Sequence, residues 1–411
     1  MDKNSFSVEL LRAASSCGQS LQKALALPMV ASLCSELAEA LYARAWKPGI
    51  YTRFAVQEPK LREIFAPDFA DRVVEAWLVA LVEKPLSRLF IEDTYANRKG
   101  KGTYAAINKA QKLMRSPGHE WCLQLDVRSF FTSIHRPTLL RNWIDFLNGI
   151  GLAPEYRELA VYISTALLKN SPLENFHSVK SSRPLLDSIP SHKCLADSPP
   201  DTGLPIGSVA SQHFANFYLN ELDHFIKHEL RVKGYARYMD DLLLFGPDSA
   251  VLLVWRDAVA EYLENRLRLS LHTGKELFSK SGQGIEYLGY RVYPHYLHVC
   301  SRTVSALKAR LDFFKHLFRP ERFPFCQRPV RGSWQVFWEN AGTALPLLPE
   351  WPLLKRMEGT INSYYGIMGH AQSYKLRKAL YHKHFGLLRS FFHPADAGYT
   401  AIHTAKRFLH Y

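Results

Sequence analysis

Acidic residues stand at two points of the chain where an apolar segment ends. Asp126 is the single acid in the segment 121–127, and Asp240 and Asp241 lie side by side in the segment 236–245. A carboxylate is costly to bury among apolar neighbours unless a cation neutralises it. Divalent magnesium prefers oxygen ligands, and carboxylates are common among them. These three acids are therefore candidate metal ligands.

Three carboxylates on neighbouring strand ends can hold two metal ions about 4 Å apart. Such a pair activates a 3′-hydroxyl and stabilises the pyrophosphate that leaves in an in-line displacement. We therefore predict that Asp126, Asp240 and Asp241 bind two Mg²⁺ ions, for which Mn²⁺ can substitute. An Asp-Asp pair alone is more often a turn signal than a catalytic site, so the prediction depends on Asp126 lying beside the pair.

The elements that must position these acids form a predicted α+β arrangement. Apolar strands and hairpins are recognised by their short β-type runs, and helices by apolar residues at three- and four-residue steps. The segments are 121–127 (a strand), 236–245 (a hairpin that turns at 239–240), 5–46, 71–90 and 209–230 (helices), and 171–203 (a long loop rich in Ser, Pro and Asp).

The composition predicts a folded protein with a polyanionic partner. The 411 residues are 47% hydrophobic, which is enough for two or three packed subdomains. The formal net charge is +14, and the segment 301–411 holds 17 Lys and Arg against 6 Asp and Glu. Aromatic residues interleave with these cations, and this mixture suits binding of a nucleic-acid backbone and bases. The alternative is a set of cations that are merely solvated.

The cysteines and the hydropathy exclude several other classes. Six cysteines are scattered without a Cys-x-x-Cys pair, which argues against zinc ribbons and disulfide scaffolds. No apolar run approaches the roughly 20 residues of a membrane span. The first residues lack the layout of a signal peptide. We therefore expect a cytoplasmic protein with no membrane partner.

The segment Tyr238-Met239-Asp240-Asp241 resembles the YxDD turn of reverse transcriptases, and Asp126 matches the single acid of their first catalytic strand. Further blocks match the family in the same order along the chain. They lie at 59–64, 95–102, 203–211, 274–275 and 284–290. The resemblance implies an RNA-directed DNA polymerase whose partners are an RNA template such as a noncoding RNA, a DNA primer and product, and dNTPs. An accessory protein or a second copy of the chain is a further expected partner.

The same resemblance implies roles for residues around the acids. Lys275 matches a lysine near the triphosphate, a candidate proton donor to pyrophosphate, and Phe131 falls at the steric gate against the 2′-hydroxyl. The backbone carbonyl of Val127 is implied as a further metal ligand. The residues implied in substrate binding are Lys60, Arg62, Arg98, Phe131, Ile206, Gly207 and Gln212, and those of the primer grip are Tyr287, Leu288 and Gly289.

The resemblance also implies a right-hand polymerase with fingers, a palm and a helical thumb. The palm is expected to be an antiparallel sheet backed by helices that carries the three acids. The expected divisions are 1–50 (an N-terminal helical extension), 51–120 (fingers), 121–300 (palm with part of the fingers, catalytic) and 301–411 (a basic, helical thumb and C-terminal region).

Within the family, the pocket loop favours one subgroup. The form Ile206-Gly207-x-x-x-Ser211-Gln212 resembles the enzymes of diversity-generating retroelements, which copy template adenines with frequent errors. Many relatives carry Gln where this chain has Ile206 and Pro where it has Gln212. Loss of a polar side chain beside the nascent base pair would relax discrimination against an incorrect nucleotide. The predicted helical N-terminal extension favours an alternative, an anti-phage defence enzyme that works with a noncoding RNA. A group II intron maturase fits less well, and a catalytically silent RNA-binding scaffold is the alternative of another class.

Overall fold

The computed structural model describes residues 3–17, 27–56, 60–174, 176–179, 181, 183–323, 334, 337 and 346–408. The chain divides into two compact units. Unit 1 comprises Met1–Lys109 and Pro117–Phe278, and unit 2 comprises Ala110–Ser116 and Ser279–Tyr411. Within the described ranges, no helix combines the length and apolar character that a membrane crossing requires.

Unit 1 holds the segments around the three acids. Its helices are α1 (Lys3–Ser16), α2 (Leu27–Tyr42), α3 (Phe69–Leu89), α4 (Thr103–Met114, which continues into unit 2), α5 (Phe130–Ser133), α6 (Arg136–Gly149), α7 (Pro154–Lys169), α8 (Arg183–Asp187), α9 (Val209–Tyr218), α10 (Asn220–His224) and α11 (Ser249–Leu267). Its strands are β1 (Tyr51–Val56), β2 (Arg62–Pro67), β3 (Trp121–Asp126), β4 (Phe176–Val179), β5 (Gly234–Tyr238) and β6 (Asp241–Gly246), and β7 (Leu277–Lys280) ends in unit 2.

The central sheet has the strand order β5-β6-β3-β7. Strands β5 and β6 form an antiparallel hairpin whose turn is at 239–240, as the sequence predicted, and β6 also pairs antiparallel with β3. Leu242, Leu243 and Leu244 are almost completely buried on β6. Because both neighbours of β6 are paired to it along its length, this strand forms a rigid base for the acids at its start.

Helix α3 is the packing centre of unit 1. Asp68 caps its N-terminus by accepting a hydrogen bond from the backbone N–H of Asp71 at 3.0 Å. Val74 and Trp77 are buried on this helix, and the ring of Phe6 on α1 meets that of Trp77 edge to face at 5.2 Å. The predicted helical stretch 5–46 is therefore two helices packed on α3, with residues 18–26 outside the described ranges.

The expectation of a long loop over 171–203 was wrong. Strand β4 pairs parallel with β1, which also pairs antiparallel with β2, and α8 and two short 3₁₀ turns follow β4. Leu195 is buried with Tyr51 and Phe65, and its backbone N–H donates to the carboxylate of Glu63 at 2.8 Å. The Ser- and Pro-rich composition hid these elements because tertiary contacts, rather than periodicity, stabilise them.

Unit 2 combines two small sheets with helices. Its strands are β8 (Ile285–Tyr287), β9 (Tyr290–Val292), β10 (Leu297–Val299), β11 (Phe392–Pro394) and β12 (Ile402–Thr404), and its helices are α12 (Ser301–Phe318), α13 (Trp351–Gly369) and α14 (Tyr374–His384). The three helices and the antiparallel pair β11-β12 all lie within the segment 301–411. Phe314, Ile361 and Tyr365 lie in the buried core of this unit.

Candidate active site

The strand register brings the three acids to one end of the central sheet. Asp126 is the direct partner of Asp241 in the antiparallel pair of β3 with β6. Directly opposed residues in such a pair have Cα atoms about 4.5–5.5 Å apart. Asp240 precedes Asp241 in the turn, and its carbonyl accepts a hydrogen bond from the N–H of Val127 at 3.4 Å. The residues that the sequence selected from two distant segments are thus neighbours.

The carboxylates at this end raise one another's pKa. Burial, followed by the negative charges of Asp240 and Asp126, raises the pKa of Asp241 to about 7. Burial and the charge of Asp126 also raise the pKa of Asp240. A raised carboxyl pKa means that the surroundings supply too little positive charge for the ionised form. The site therefore favours binding of a cation.

Protein cations near the acids oppose this effect only in part. The ammonium of Lys275 contacts Asp126 Oδ2 in an ion pair. The charges of Lys60 and Lys275 act to lower the pKa of Asp241. Lys60 and Arg62 are exposed at the start of β2. The residues predicted to bind the triphosphate thus lie within electrostatic reach of the acids.

The donor chemistry of the three acids fits a hard divalent ion. Among the described residues, no group of three or more His, Cys, Asp or Glu side chains is gathered into a preformed metal cage. Like-charged carboxylates repel one another, and the Asp126 side chain pairs with Lys275 rather than lying against the other two acids. Six carboxylate oxygens from three acids suit Mg²⁺, which prefers oxygen ligands. A bound ion would replace the ammonium as the counter-charge.

The backbone around Val127 is tied on both sides. The backbone carbonyl of Asp126 accepts a hydrogen bond from the N–H of His272 at 2.8 Å. The N–H of Arg128 donates to the backbone carbonyl of Ser270 at 2.8 Å. The N–H of Val127 points the opposite way, to the carbonyl of Asp240. The N–H and C=O of one strand residue face the same edge, so the Val127 carbonyl lies on the side of the turn that carries Asp240.

The predicted pocket loop is fixed against β2. The carbonyl of Ile206 accepts a hydrogen bond from the N–H of Phe65 at 2.8 Å. Gly207 has φ 128°, and a Cβ at this position would lie 2.5 Å from the carbonyl oxygen of Phe65. Only glycine tolerates both the backbone angle and this approach. The loop therefore reaches α9 by a path that a side chain would block.

Glu75 is a residue of this site that the sequence reasoning missed. Its side chain is fully buried on α3 and accepts from the backbone N–H groups of Val209 at 3.0 Å and Ala210 at 3.4 Å. The carboxylate thus caps the N-terminus of α9, which is separated from Gly207 by the N-cap residue Ser208. The available signal was an acid within the apolar helix 71–90.

Asn97 connects the predicted block 95–102 to the turn. Its Nδ2 donates to the backbone carbonyl of Gln212 at 3.3 Å and lies 3.8 Å from the sulfur of Met239. Phe131 is half-buried, and its carbonyl accepts from the N–H of Leu204 at 2.8 Å. Phe131 is therefore tied to the pocket loop, and Asn97 links Gln212 to the turn.

Arg98 has a local structural role. Its guanidinium donates to the backbone carbonyls of Ile91 at 2.6 Å, Thr94 at 2.9 Å and Ser87 at 3.0 Å. It also lies over the ring of Phe90 at 5.6 Å. These bonds close the turn after α3, so a contact of Arg98 with substrate would have to compete with them. Its predicted substrate role stays a prediction.

The predicted primer grip belongs to unit 2. Leu288 and Gly289 both have positive φ, 48° and 90°, and form a two-residue turn between Tyr287 on β8 and Tyr290 on β9. Such turns require left-handed backbone at both positions. Tyr287 is buried, so the turn is presented on a fixed base within this unit.

The family model described as reverse transcriptase (RNA-dependent DNA polymerase) matches residues 55–292. The chain belongs to the reverse transcriptase family. The matched region contains the three acids, Lys275 and the Leu288-Gly289 turn. Family membership confirms the expected α+β, right-hand polymerase fold, and enzymes of this family use divalent metal ions, as the carboxylate site requires.

Two solved structures are similar to this reverse transcriptase at low identity. The telomerase of Candida albicans in complex with the TWJ fragment of telomeric RNA is 12% identical, with a TM-score of 0.42, over 85% of this chain and 60% of that chain. The apo telomerase of Candida tropicalis is 10% identical, with a TM-score of 0.44, over 84% and 59%. The chain thus spans about 60% of the telomerase chains. No curated protein matches the sequence.

Proposed function

We propose that this protein synthesises DNA on an RNA template by transferring nucleotides from dNTPs to a primer 3′ end. The pairing of Asp126 with Asp241, beside Asp240, supports the proposal most strongly. Membership of the reverse transcriptase family supports the same reaction. The raised pKa of Asp241 agrees with a site that needs divalent cations.

In this proposal the carboxylates of Asp126, Asp240 and Asp241, with the Val127 carbonyl, hold the metal ions. When bound there, two Mg²⁺ ions, or Mn²⁺ in their place, supply charge neutralisation for the attacking 3′-hydroxyl and the departing pyrophosphate. Lys275 pairs with Asp126 in the absence of metal; once an ion takes over as the counter-charge of Asp126, the ammonium is free to donate a proton to the pyrophosphate oxygen.

Other residues of the chain bind and select the nucleotide. Lys60 and Arg62 neutralise the triphosphate from the start of β2. Phe131 excludes a 2′-hydroxyl by its volume, and Ile206 and Gly207 form the wall of the pocket next to β2. The partners are therefore an RNA template, a DNA primer or product, and dNTPs. The basic segment 301–411 supports contact with a nucleic-acid backbone.

Primer extension by the full chain tests the reaction. An oligo(dT) primer on poly(rA) is extended with dTTP and Mg²⁺, and Asp241→Asn is compared with the wild type. We expect extension to fall about 1000-fold or more, because removal of a metal ligand abolishes charge neutralisation in the transition state. Asp257→Asn, at a side chain that is 68% exposed, is the matched control and should extend normally. Equal extension by Asp241→Asn and wild type would refute the assignment.

The biological role is proposed to be error-prone copying of a noncoding RNA, as in diversity-generating retroelements. The apolar Ile206 and the Gln212 in the pocket loop support this reading. Misincorporation opposite each template base is the test, and an error rate opposite adenine no higher than opposite the other bases would contradict it. Helices α1 and α2, within the N-terminal segment 1–50, support an anti-phage defence role instead. Sequencing of the RNA and DNA that co-purify distinguishes the two.

The alternative of a scaffold that only binds RNA is distinguished from the retroelement and the defence enzyme by variants that lack DNA synthesis. Asp240→Ala and Asp241→Ala abolish synthesis in the proposed mechanism and leave the basic segment unchanged. If the cellular effect of the protein survives with synthesis abolished, RNA binding rather than polymerisation is its function.

A further inference from the structure

A completely buried arginine lies directly before the turn that carries the acids. Arg237, on β5, forms a two-pronged ion pair with Asp223: its Nε donates to Oδ1 at 2.7 Å and its Nη2 to Oδ2 at 2.6 Å. Both side chains have zero exposure. A buried ion pair by itself is weak grounds for a stabilising role, because desolvation offsets much of the attraction. The other contacts of Arg237 are therefore informative.

The remaining donors of Arg237 reach the turn and the neighbouring helix. Its Nη1 donates to the carbonyl of Met239 at 3.0 Å and to Asn216 Oδ1 at 2.8 Å, and its Nη2 donates to the carbonyl of Asn216 at 3.3 Å. With the two bonds to Asp223, all five N–H donors of the guanidinium are used. One side chain thus joins α9, α10 and the peptide that precedes Asp240.

Asp223 is in turn held from two further directions. The hydroxyls of Tyr235 and Thr94 each donate to it at 2.7 Å. The carboxylate then accepts four bonds in total, which matches its capacity. A fully satisfied buried network of this kind is rigid. It seats the guanidinium in one position, from which the bond to Met239 has a fixed direction.

The Met239 peptide needs such support because its backbone is strained. Met239 has φ 54°, a left-handed conformation in which the Cβ of a residue with a side chain crowds the following carbonyl oxygen. The Met239 carbonyl belongs to the same peptide as the nitrogen of Asp240, so the direction of that carbonyl fixes the rotation of the peptide and the start of the acidic pair. On the opposite side, the bond from Val127 to Asp240 is long, at 3.4 Å.

We propose that Arg237, held in place by its ion pair with Asp223, is a positioning residue. It fixes the Met239–Asp240 peptide and so orients Asp240 and Asp241 for binding of the metal ions. The proposal rests on the proposed polymerase function. It separates Arg237 from residues that only stabilise the fold, since one of its donors is directed to the strained turn rather than to the core.

Arg237→Lys tests the proposal against Tyr235→Phe. Lysine keeps the charge beside Asp223 but cannot bond the carboxylate and the Met239 carbonyl together. Tyr235→Phe removes one donor to the same carboxylate without touching the turn, so it controls for damage to the network. Three measurements are made on the full chain: thermal unfolding, Mn²⁺ binding followed by electron paramagnetic resonance, and single-turnover primer extension at varied dTTP.

We expect Arg237→Lys to lower the maximal extension rate about 100-fold, the effect of a misplacement of about 1 Å. Its Mn²⁺ affinity should fall about 10-fold, and its dTTP affinity should stay within threefold of wild type. Tyr235→Phe should lower the unfolding temperature and leave the rate and Mn²⁺ affinity within threefold. Equal losses of rate and Mn²⁺ affinity in both variants, or wild-type values in Arg237→Lys, would overturn the proposal.

A second variant covers a failure of Arg237→Lys to fold. The double substitution Asp223→Asn with Arg237→Gln leaves no unpaired buried charge, while the shorter glutamine amide cannot bond both the side chain at position 223 and the turn. The same losses of rate and Mn²⁺ affinity are expected, and wild-type values would again overturn the proposal. If the wild type extends no primer, the polymerase function fails, and the Mn²⁺ affinities alone decide the role of Arg237.

Discussion

Glu75 gives the structure a pH dependence that can be calculated. Its carboxyl group is fully buried and caps α9 through Val209 and Ala210. Burial raises the pKa of Glu75 from 4.5 to about 7, although its hydrogen bonds to Ser208, Ala210 and Val209 and the charge of Arg72 act in the opposite direction. We choose Glu75→Gln as the perturbation because glutamine keeps the acceptor oxygen and removes the titration.

The sign of this pH dependence follows from the proton that Glu75 retains in the folded state. Between pH 4.5 and about 7 the unfolded chain releases this proton, whereas the folded protein keeps it. The contribution of Glu75 to stability is therefore greatest below pH 4.5 and is lost as the pH rises to about 7. A difference of about 2.5 pH units at 1.36 kcal/mol per unit corresponds to roughly 3 kcal/mol.

The assay compares denaturant unfolding of wild type and Glu75→Gln from pH 4.5 to pH 8, followed by circular dichroism. The free energy of unfolding of the variant, relative to wild type, should increase by roughly 3 kcal/mol over this range. Asp71, whose pKa burial also raises to about 7, is present in both proteins and its effect largely cancels. Glu264→Gln, at an exposed helix position, should show no such trend. A difference between wild type and Glu75→Gln that stays constant within about 1 kcal/mol would refute the reasoning.

Substitutions at three further positions have defined outcomes. Gly207→Ala places a Cβ 2.5 Å from the Phe65 carbonyl oxygen, so we expect the KM for dNTPs to rise about 10-fold with a loss of about 1–3 kcal/mol of stability; unchanged steady-state kinetics would exclude this role of the loop. Lys275→Met should lower the single-turnover rate about 100-fold, and Lys275→Arg should recover part of it; full activity of the Met variant would remove Lys275 from proton transfer. Phe131→Ala should incorporate rNTPs more readily relative to dNTPs, and competition between the two substrates measures the ratio. An unchanged ratio would assign the steric gate to another residue.

Local patterns in the sequence were sufficient for the elements that carry the acids. The β5-β6 hairpin and its turn at 239–240 follow from two adjacent acids with aromatic and aliphatic residues on both sides. The buried helix α3 follows from apolar residues at three- and four-residue steps. The prediction of a loop over 171–203 failed because β4 pairs with β1 and the segment around α8 packs on Ala55 and Leu61. A pattern within one segment does not contain such contacts.

The sequence alone determined the three acids, their order along the chain and their need for a cation, since these depend on residue type and local spacing. Only the tertiary structure decided that Asp126 faces Asp241, because strand register is a property of two distant segments. It also decided that Arg98 bonds backbone carbonyls and that Arg237 and Glu75 hold the turn and the pocket helix. A charged side chain has the same letter whether it meets solvent, substrate or the protein's own backbone, and burial is what distinguishes these cases.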